Sequence, residues 1–228
     1  MAAGPVAWHR FATLADASEA LAEAVAVRLK ELLARQRQAS LVVPGGTTPA
    51  RFLAALGRQE LPWEQVTLLP TDERFVAADD AASNERMLRE QFAPLTQGRV
   101  RFLSFHGQGS DIEAAAALLC AQLAELPPLD LVVSGMGADG HIASLFPGAE
   151  AIFNLVPDSG IVVARPPGLP ARLSLSPKRL IEAGWASLLV SGVAKEAVLK
   201  DAATRATPLP VDMLLGRAQG LDVYWAKE

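Results

Sequence analysis

Residues 129–148 read LDLVVSGMGADGHIASLFPG, and the punctuation of this stretch decides the architecture. Leu129, Leu131, Val132 and Val133 make the run apolar on both alternating faces, the pattern of a strand whose sheet is covered by helices on both sides. Gly135, Gly137 and Gly140 follow at once, so the strand ends in a glycine-rich turn at the carboxyl end, where such sheets collect ligands. Residues 186–190, ASLLV, show the same two-sided apolar character. Short apolar runs at 40–43, 66–69, 100–103, 161–164, 171–175 and 221–225 read as further strands. Helical periodicity fills most of the gaps, at 50–56, 84–92, 112–125, 177–183 and 194–200. Leu14, Leu21, Val25, Leu29, Leu32 and Leu33 recur at helical spacing and predict an amphipathic opening helix over 16–37. The alternation predicts an α/β fold, an open, mostly parallel sheet with helices on both faces. No repeat, low-complexity tract or linker divides the chain, so one domain is expected over residues 1–228, with Pro166, Pro167 and Pro170 marking a sharp local break.

Composition excludes several classes of function. Half of the 228 residues are hydrophobic and 20% are charged, enough apolar material for a core and too little charge for a disordered chain. Lys and Arg number 21 against 25 Asp and Glu, a formal charge of -4, so no basic surplus is present to neutralise a nucleic-acid backbone. Arg10, Asp16, Glu19 and Glu23 interrupt the N-terminal region before a signal peptide could form, and no uncharged apolar run reaches membrane-spanning length. A cytoplasmic protein with no membrane partner is expected. The single cysteine, Cys120, cannot close an intramolecular disulfide and reads as a small buried hydrophobe on a helix.

The residues that follow the strands carry the chemistry. After 40–43 come Pro44, Gly45, Gly46, Thr47, Thr48 and Pro49. Two glycines admit a ligand close to the backbone, and the free N–H groups of the helix that starts at Pro49 favour an anion such as phosphate. The competing reading is an ordinary strand-to-helix turn capped by Thr48. No P-loop lysine is present, which disfavours a nucleoside triphosphate. After 66–69 come Thr71, Asp72, Glu73 and Arg74, with Ser83 and Asn84 opening a helix; this cluster can handle protons and bind a hydroxylated, anionic ligand, or be a solvated loop.

Residues 135–140 match G-x-G-x-x-G literally, but the strand before them is not the first, Asp139 would repel a pyrophosphate, and Pro147 leaves little room for a helix. What remains is a turn presenting Asp139 and His141 two residues apart. Imidazole is the side chain suited to proton transfer near neutrality and a neighbouring carboxylate can orient it, so His141 is the candidate general base. His9 and His106 have no comparable setting. Arg172 lies within a strand pattern and Lys195 opens a helix after 186–190; with the glycine loop they make a coherent phosphate site.

These segments, in this order, resemble the 6-phosphogluconolactonases of the pentose phosphate pathway over nearly the whole chain, from Pro44 to Leu199. The resemblance implies a Rossmann-like fold, shared by a wider group that includes glucosamine-6-phosphate deaminases. Asp72, Glu73 and Arg74, where deaminases usually carry Tyr in place of the Arg, and residues 143–148 (ASLFPG), where they carry an Asn-Glu-containing continuation, favour the lactonase branch. It further implies that Gly45, Gly46, Thr47, Thr48, Arg172 and Lys195 hold a 6-phosphate, that His141 activates the attacking water, and that Asp72, Asp139, Arg74 and Asn84 surround the sugar ring. The implied reaction is hydrolysis of 6-phospho-D-glucono-1,5-lactone, with no metal and no cofactor; no His/Cys cluster has zinc-ligand spacing. The implied partner is a small sugar-phosphate lactone, and the chain is expected to be a monomer or small homo-oligomer. Thr71, commonly Gly, and Ala77–Ala78, where Pro is common, depart from the usual pattern. The alternatives are an isomerase-deaminase that uses Asp72 to move a proton at C2, and a non-catalytic sugar-phosphate sensor.

Overall fold

A computed structural model of the chain describes residues 3–46, 48–106, 111–148 and 160–228. In chain order the elements are β1 (Val6–Phe11), α1 (Leu14–Leu33), β2 (Ala39–Val43), α2 (Pro49–Gly57), β3 (Val66–Pro70), β4 (Asp72–Arg74), α3 (Asn84–Gln91), β5 (Arg101–Phe102) and α4 (Ile112–Ala124). They continue with β6 (Leu131–Ser134), β7 (Ile161–Ala164), β8 (Arg172–Leu175), α5 (Pro177–Ile181), β9 (Trp185–Ser191), α6 (Val193–Lys200), α7 (Pro210–Leu215) and β10 (Leu221–Ala226).

The main sheet runs β1-β10-β9-β6-β2-β3-β5, and every pairing in it is parallel. Without β1, this is the doubly wound order in which the chain moves outward from β2 on one side and from β6 on the other. The reversal falls between β2 and β6, paired at Leu41 with Leu131 and Val42 with Val132. A crevice therefore opens at the carboxyl ends of these two strands, because the loops leaving them diverge.

Two-sided burial explains the apolar strands. Leu131 and Val133 of β6 face a layer built with Leu21, Val25 and Leu29 of α1 and Phe52, Leu53 and Leu56 of α2. Val132 faces the other layer, with Leu119 and Leu123 of α4, Leu180 of α5 and Val211 and Leu214 of α7. Cys120 is a free, half-buried thiol packed against this second layer. Polar caps set the helix starts: Thr13 accepts from Asp16 N, Ser83 from Arg86 N, and Asp111 from Ala114 N. Helix α1 ends at Leu33, short of the expected Arg37, because the chain must turn into β2, and Gln36 holds that turn by donating to Gln38 O and Asp130 Oδ1.

Two strands expected from the sequence, 161–164 and 171–175, do not join the parallel sheet. They are β7 and β8, which form a separate antiparallel sheet in the order β4-β8-β7. The short connection between them cannot form the long crossover that a parallel pair needs, so the chain returns as a hairpin. The third strand, β4, is the Asp72–Arg74 segment, whose charges suggest a loop. Strand β1 and helix α7 have no counterpart among the expected elements. β1 is an edge strand whose Trp8-His9-Arg10 interior breaks the apolar run.

Glu73 anchors the small sheet to the start of α3. It is 1% exposed and accepts hydrogen bonds from Asn84 N, Glu85 N, Ser83 Oγ, Arg74 N and the His106 ring. The carboxylate thus meets the N-terminal N–H groups and positive end of α3. Removing it strands these buried donors, so Glu73→Ala is expected to lower the unfolding free energy by about 2–4 kcal/mol. Urea denaturation checks this; a loss within error would show that the network is not what holds α3.

Candidate active site

A cavity of about 280 Å³ lies at the switch between β2 and β6. Pro44, Gly45, Gly46, Thr48, Asp72, Arg74, Asn84, Met136, Gly137, His141, Arg172 and Lys195 are on its wall. The structure therefore brings the three strand-end segments and the two isolated cations into one place. Thr47 lies outside the described residues. Asp139 does not line the cavity: it stands behind His141.

The β2 loop is built for close approach. A Cβ on Gly45 would lie 2.0 Å from Asn84 Oδ1, and Gly46 adopts φ +94°, a conformation that favours glycine. Thr48 occupies the N-cap position of α2 but is in helical geometry and its side chain makes no capping bond. The first turn of α2 holds no acidic residue, so its N–H groups and the positive end of the helix dipole remain open to an anion. Asn84 also donates Nδ2 to Asp72 O at 2.7 Å, which ties this loop to β4.

Antiparallel pairing of β4 with β8 sets the cationic wall. Arg74 is the register partner of Arg172, and Asp72 that of Ser174. Arg74 is fixed by an Nη1 hydrogen bond to Ala82 O at 2.5 Å. Asp72 accepts from Thr71 Oγ1 at 2.9 Å and from Ser144 Oγ at 2.5 Å, and Arg172 Nη1 stands 3.9 Å from its Oδ2. Burial, and then the neighbouring Arg74, depress the Arg172 guanidinium, while Asp72 opposes them. Burial likewise depresses the Lys195 ammonium, which has no ion-pair partner among the described residues. Three cations against one carboxylate on the wall leave the cavity positive.

His141 sits on the turn after β6. Its Nδ1 is 2.6 Å from Asp139 Oδ1, which also accepts from His141 N at 3.2 Å. Burial pushes the Asp139 carboxyl up, but the hydrogen bonds from the His141 ring and backbone and the attraction of that ring outweigh it, so the group lies below the usual aspartate value. With Nδ1 committed to the carboxylate, Nε2 is the ring nitrogen left to take a proton. Phe146 packs against the ring at 5.0 Å between centroids. A Cβ on Gly137 would come within 2.2 Å of the ring's Cε1 and Nδ1. Gly137 and Ser144 are the participants to which the sequence alone assigns no role. The signal for Gly137 is in the GMGADGH string, but only contact with the ring reveals why that glycine is needed.

Glu73, Glu85 and His106 bring potential metal ligands within 4.8 Å of one another. Their oxygens are already committed: those of Glu73 as above, and those of Glu85 to Arg89, Ser104 Oγ and Phe105 N. This cluster is chemically a helix anchor rather than a ligand set.

Comparison with known proteins bears on the same elements. Residues 12–225 match the family described as glucosamine-6-phosphate isomerases/6-phosphogluconolactonase. A 6-phosphogluconolactonase of Rhizobium meliloti is 36% identical over 226 residues, covering 96% of this chain and 97% of that one. One of Mesorhizobium japonicum is 37% identical over 226 residues, covering 96% and 94%. The crystal structure of a 6-phosphogluconolactonase from Shewanella baltica superposes with a TM-score of 0.89 at 29% identity, covering 99% of this chain and 100% of that one.

Proposed function

The chain belongs to the glucosamine-6-phosphate isomerase/6-phosphogluconolactonase family, and from that membership and the site we propose that it hydrolyses 6-phospho-D-glucono-1,5-lactone to 6-phosphogluconate in the pentose phosphate pathway. The observation that carries this reading is one cavity lined at once by the β2 loop, Arg74, Arg172, Lys195 and His141. The phosphate sits at the start of α2, held by Gly45, Gly46 and Thr48 and by the charges of Arg172 and Lys195. Asp72, Arg74 and Asn84 face the sugar ring. His141 Nε2 takes a proton from a water that attacks C1, Asp139 holds the resulting imidazolium, and the tetrahedral oxyanion meets the Arg74 charge. The ring oxygen then leaves and receives the proton from His141. A lactone is an activated ester, and these residues supply a base, an oxyanion partner and a phosphate anchor for its opening.

The isomerase-deaminase alternative needs Asp72 as a base at C2. Here both Asp72 oxygens accept from hydroxyls, at Thr71 and Ser144, an arrangement suited to a fixed anion. The test follows acid release from freshly generated lactone above its spontaneous opening, in parallel with ammonia release from glucosamine 6-phosphate. Rapid acid release and no ammonia are expected; ammonia at a comparable rate would reassign the branch.

The depressed Lys195 makes a pH prediction with a definite sign. Below its lowered pKa the ammonium is charged and holds the phosphate; as pH rises through that value the charge, and the affinity it supplies, are lost. A bound phosphate favours the charged form, so binding of 6-phosphogluconate at alkaline pH is expected to take up protons. Calorimetry in buffers of different ionisation enthalpy measures this, and Lys195→Ala should abolish it while weakening binding by about 1.5–3 kcal/mol.

The reading takes residues 1–228 as one domain, acting in the cytoplasm on a small molecule, as a monomer or small homo-oligomer without a nucleic-acid partner. The formal charge of -4 supports the last point. Among the described residues no helix is long and apolar enough to cross a membrane.

A further inference from the structure

Ser144 is fully buried beside the cavity, and none of the steps above uses its hydroxyl. Its Oγ donates to Asp72 Oδ2 at 2.5 Å and accepts from Arg172 Nη1 at 3.4 Å. The carboxylate and guanidinium themselves stand 3.9 Å apart. That separation exceeds hydrogen-bond length, so their direct attraction fixes the orientation of neither. A carboxylate can only accept and a guanidinium can only donate, so a group that joins them must do both, as a hydroxyl does.

The backbone delivers this hydroxyl through a strained turn. Ala143 adopts φ 50°, in the left-handed region, within a tight turn closed by Leu145 N donating to Ile142 O at 2.9 Å. Such a conformation persists in a residue other than glycine only where its surroundings hold it. Here Ile142 and Leu145 are completely buried, and Ser144 N donates to Ser174 Oγ on β8 at 3.3 Å. The turn thus joins the segment that carries His141 to the strand that carries Arg172.

We propose that Ser144 is a positioning residue for phosphate recognition: its hydroxyl links Asp72 to Arg172 and aims the guanidinium into the cavity. The inference rests on the assignment of Arg172 to the phosphate. Steady-state kinetics of wild type, Ser144→Ala, Arg172→Ala and the double variant, each with phosphorylated and unphosphorylated gluconolactone, test it. Ser144→Ala is expected to lower the preference for the phosphorylated lactone about tenfold, through KM rather than kcat. Because Ser144 acts through Arg172, the double variant should lose no more preference than Arg172→Ala alone. Ser144→Thr, which keeps the hydroxyl, should restore most of the preference; if its methyl group prevents folding, the double-variant comparison decides. An Arg172→Ala enzyme that discriminates normally would remove the phosphate assignment and this inference with it. If Arg172→Ala loses discrimination but Ser144→Ala does not, or if the two losses add in full, the assignment stands and the positioning role falls.

Discussion

His141→Asn is expected to leave the fold intact and to lower kcat by ~10²–10⁴-fold, the contribution typical of a positioned general base. The ring is held by Asp139 at Nδ1, by Phe146 and by the backbone of Gly137. Among the described residues no hydrogen bond occupies Nε2, which leaves that nitrogen for water. Asn offers no nitrogen able to take a proton in this range, while the phosphate contacts on the far wall are untouched, so KM should change little. Rates must be corrected for spontaneous lactone opening at each pH. The depressed pKa of Asp139 keeps the orienting carboxylate charged to lower pH than is usual for an aspartate, and its contribution is lost only as pH falls through that lowered value. A folded His141→Asn enzyme with near wild-type kcat would transfer the base role elsewhere, with Asp72 the next group to test.

The second large effect is expected from the smallest substitution. Gly137→Ala places a methyl carbon 2.2 Å from two atoms of the imidazole and 2.6 Å from Asp139 Oδ1. No contact of that length survives, so the ring or the turn must move, and the base shifts relative to the lactone carbon. A displacement on the order of 1 Å at a reacting group costs roughly 10²-fold, which is the expected fall in kcat. A ligand held by Arg172 and Lys195 should still bind, so the inhibition constant for inorganic phosphate should stay within about threefold, well under the tenfold that corresponds to about 1.4 kcal/mol. Full activity in Gly137→Ala would mean that the turn reorganises freely and that the ring's seat on this glycine is incidental.

The strands of the main sheet were legible because each core strand is apolar on both parities, and so short a run with both faces apolar fits a sheet covered by helices on each side. The glycine turns were legible for a related reason. Gly46 and Gly140 at positive φ, and Gly45 pressed against Asn84, mark places where a side chain is excluded whatever the ligand. Strand β4 was not legible, since Asp72, Glu73 and Arg74 carry three charges in a row and no strand pattern. Its charges are tolerable only because Glu73 meets the α3 N-terminus and Arg74 and Asp72 open into the cavity. Neither partner is near in sequence.

The chain by itself thus determined which segments end in ligand-ready turns, because turn chemistry and two-sided burial are local properties of a few consecutive residues. It also placed Asp139 beside His141, a contact two residues long. Tertiary structure alone decided that the hairpin over residues 161–175 leaves the main sheet, that Arg172 faces Arg74 across β8 and β4, and that Ser144 reaches Asp72 across 72 positions of sequence. Such pairings depend on strand register and on the angle at which two sheets meet. Those are set by the packing of the whole core, so no window of neighbouring residues contains them.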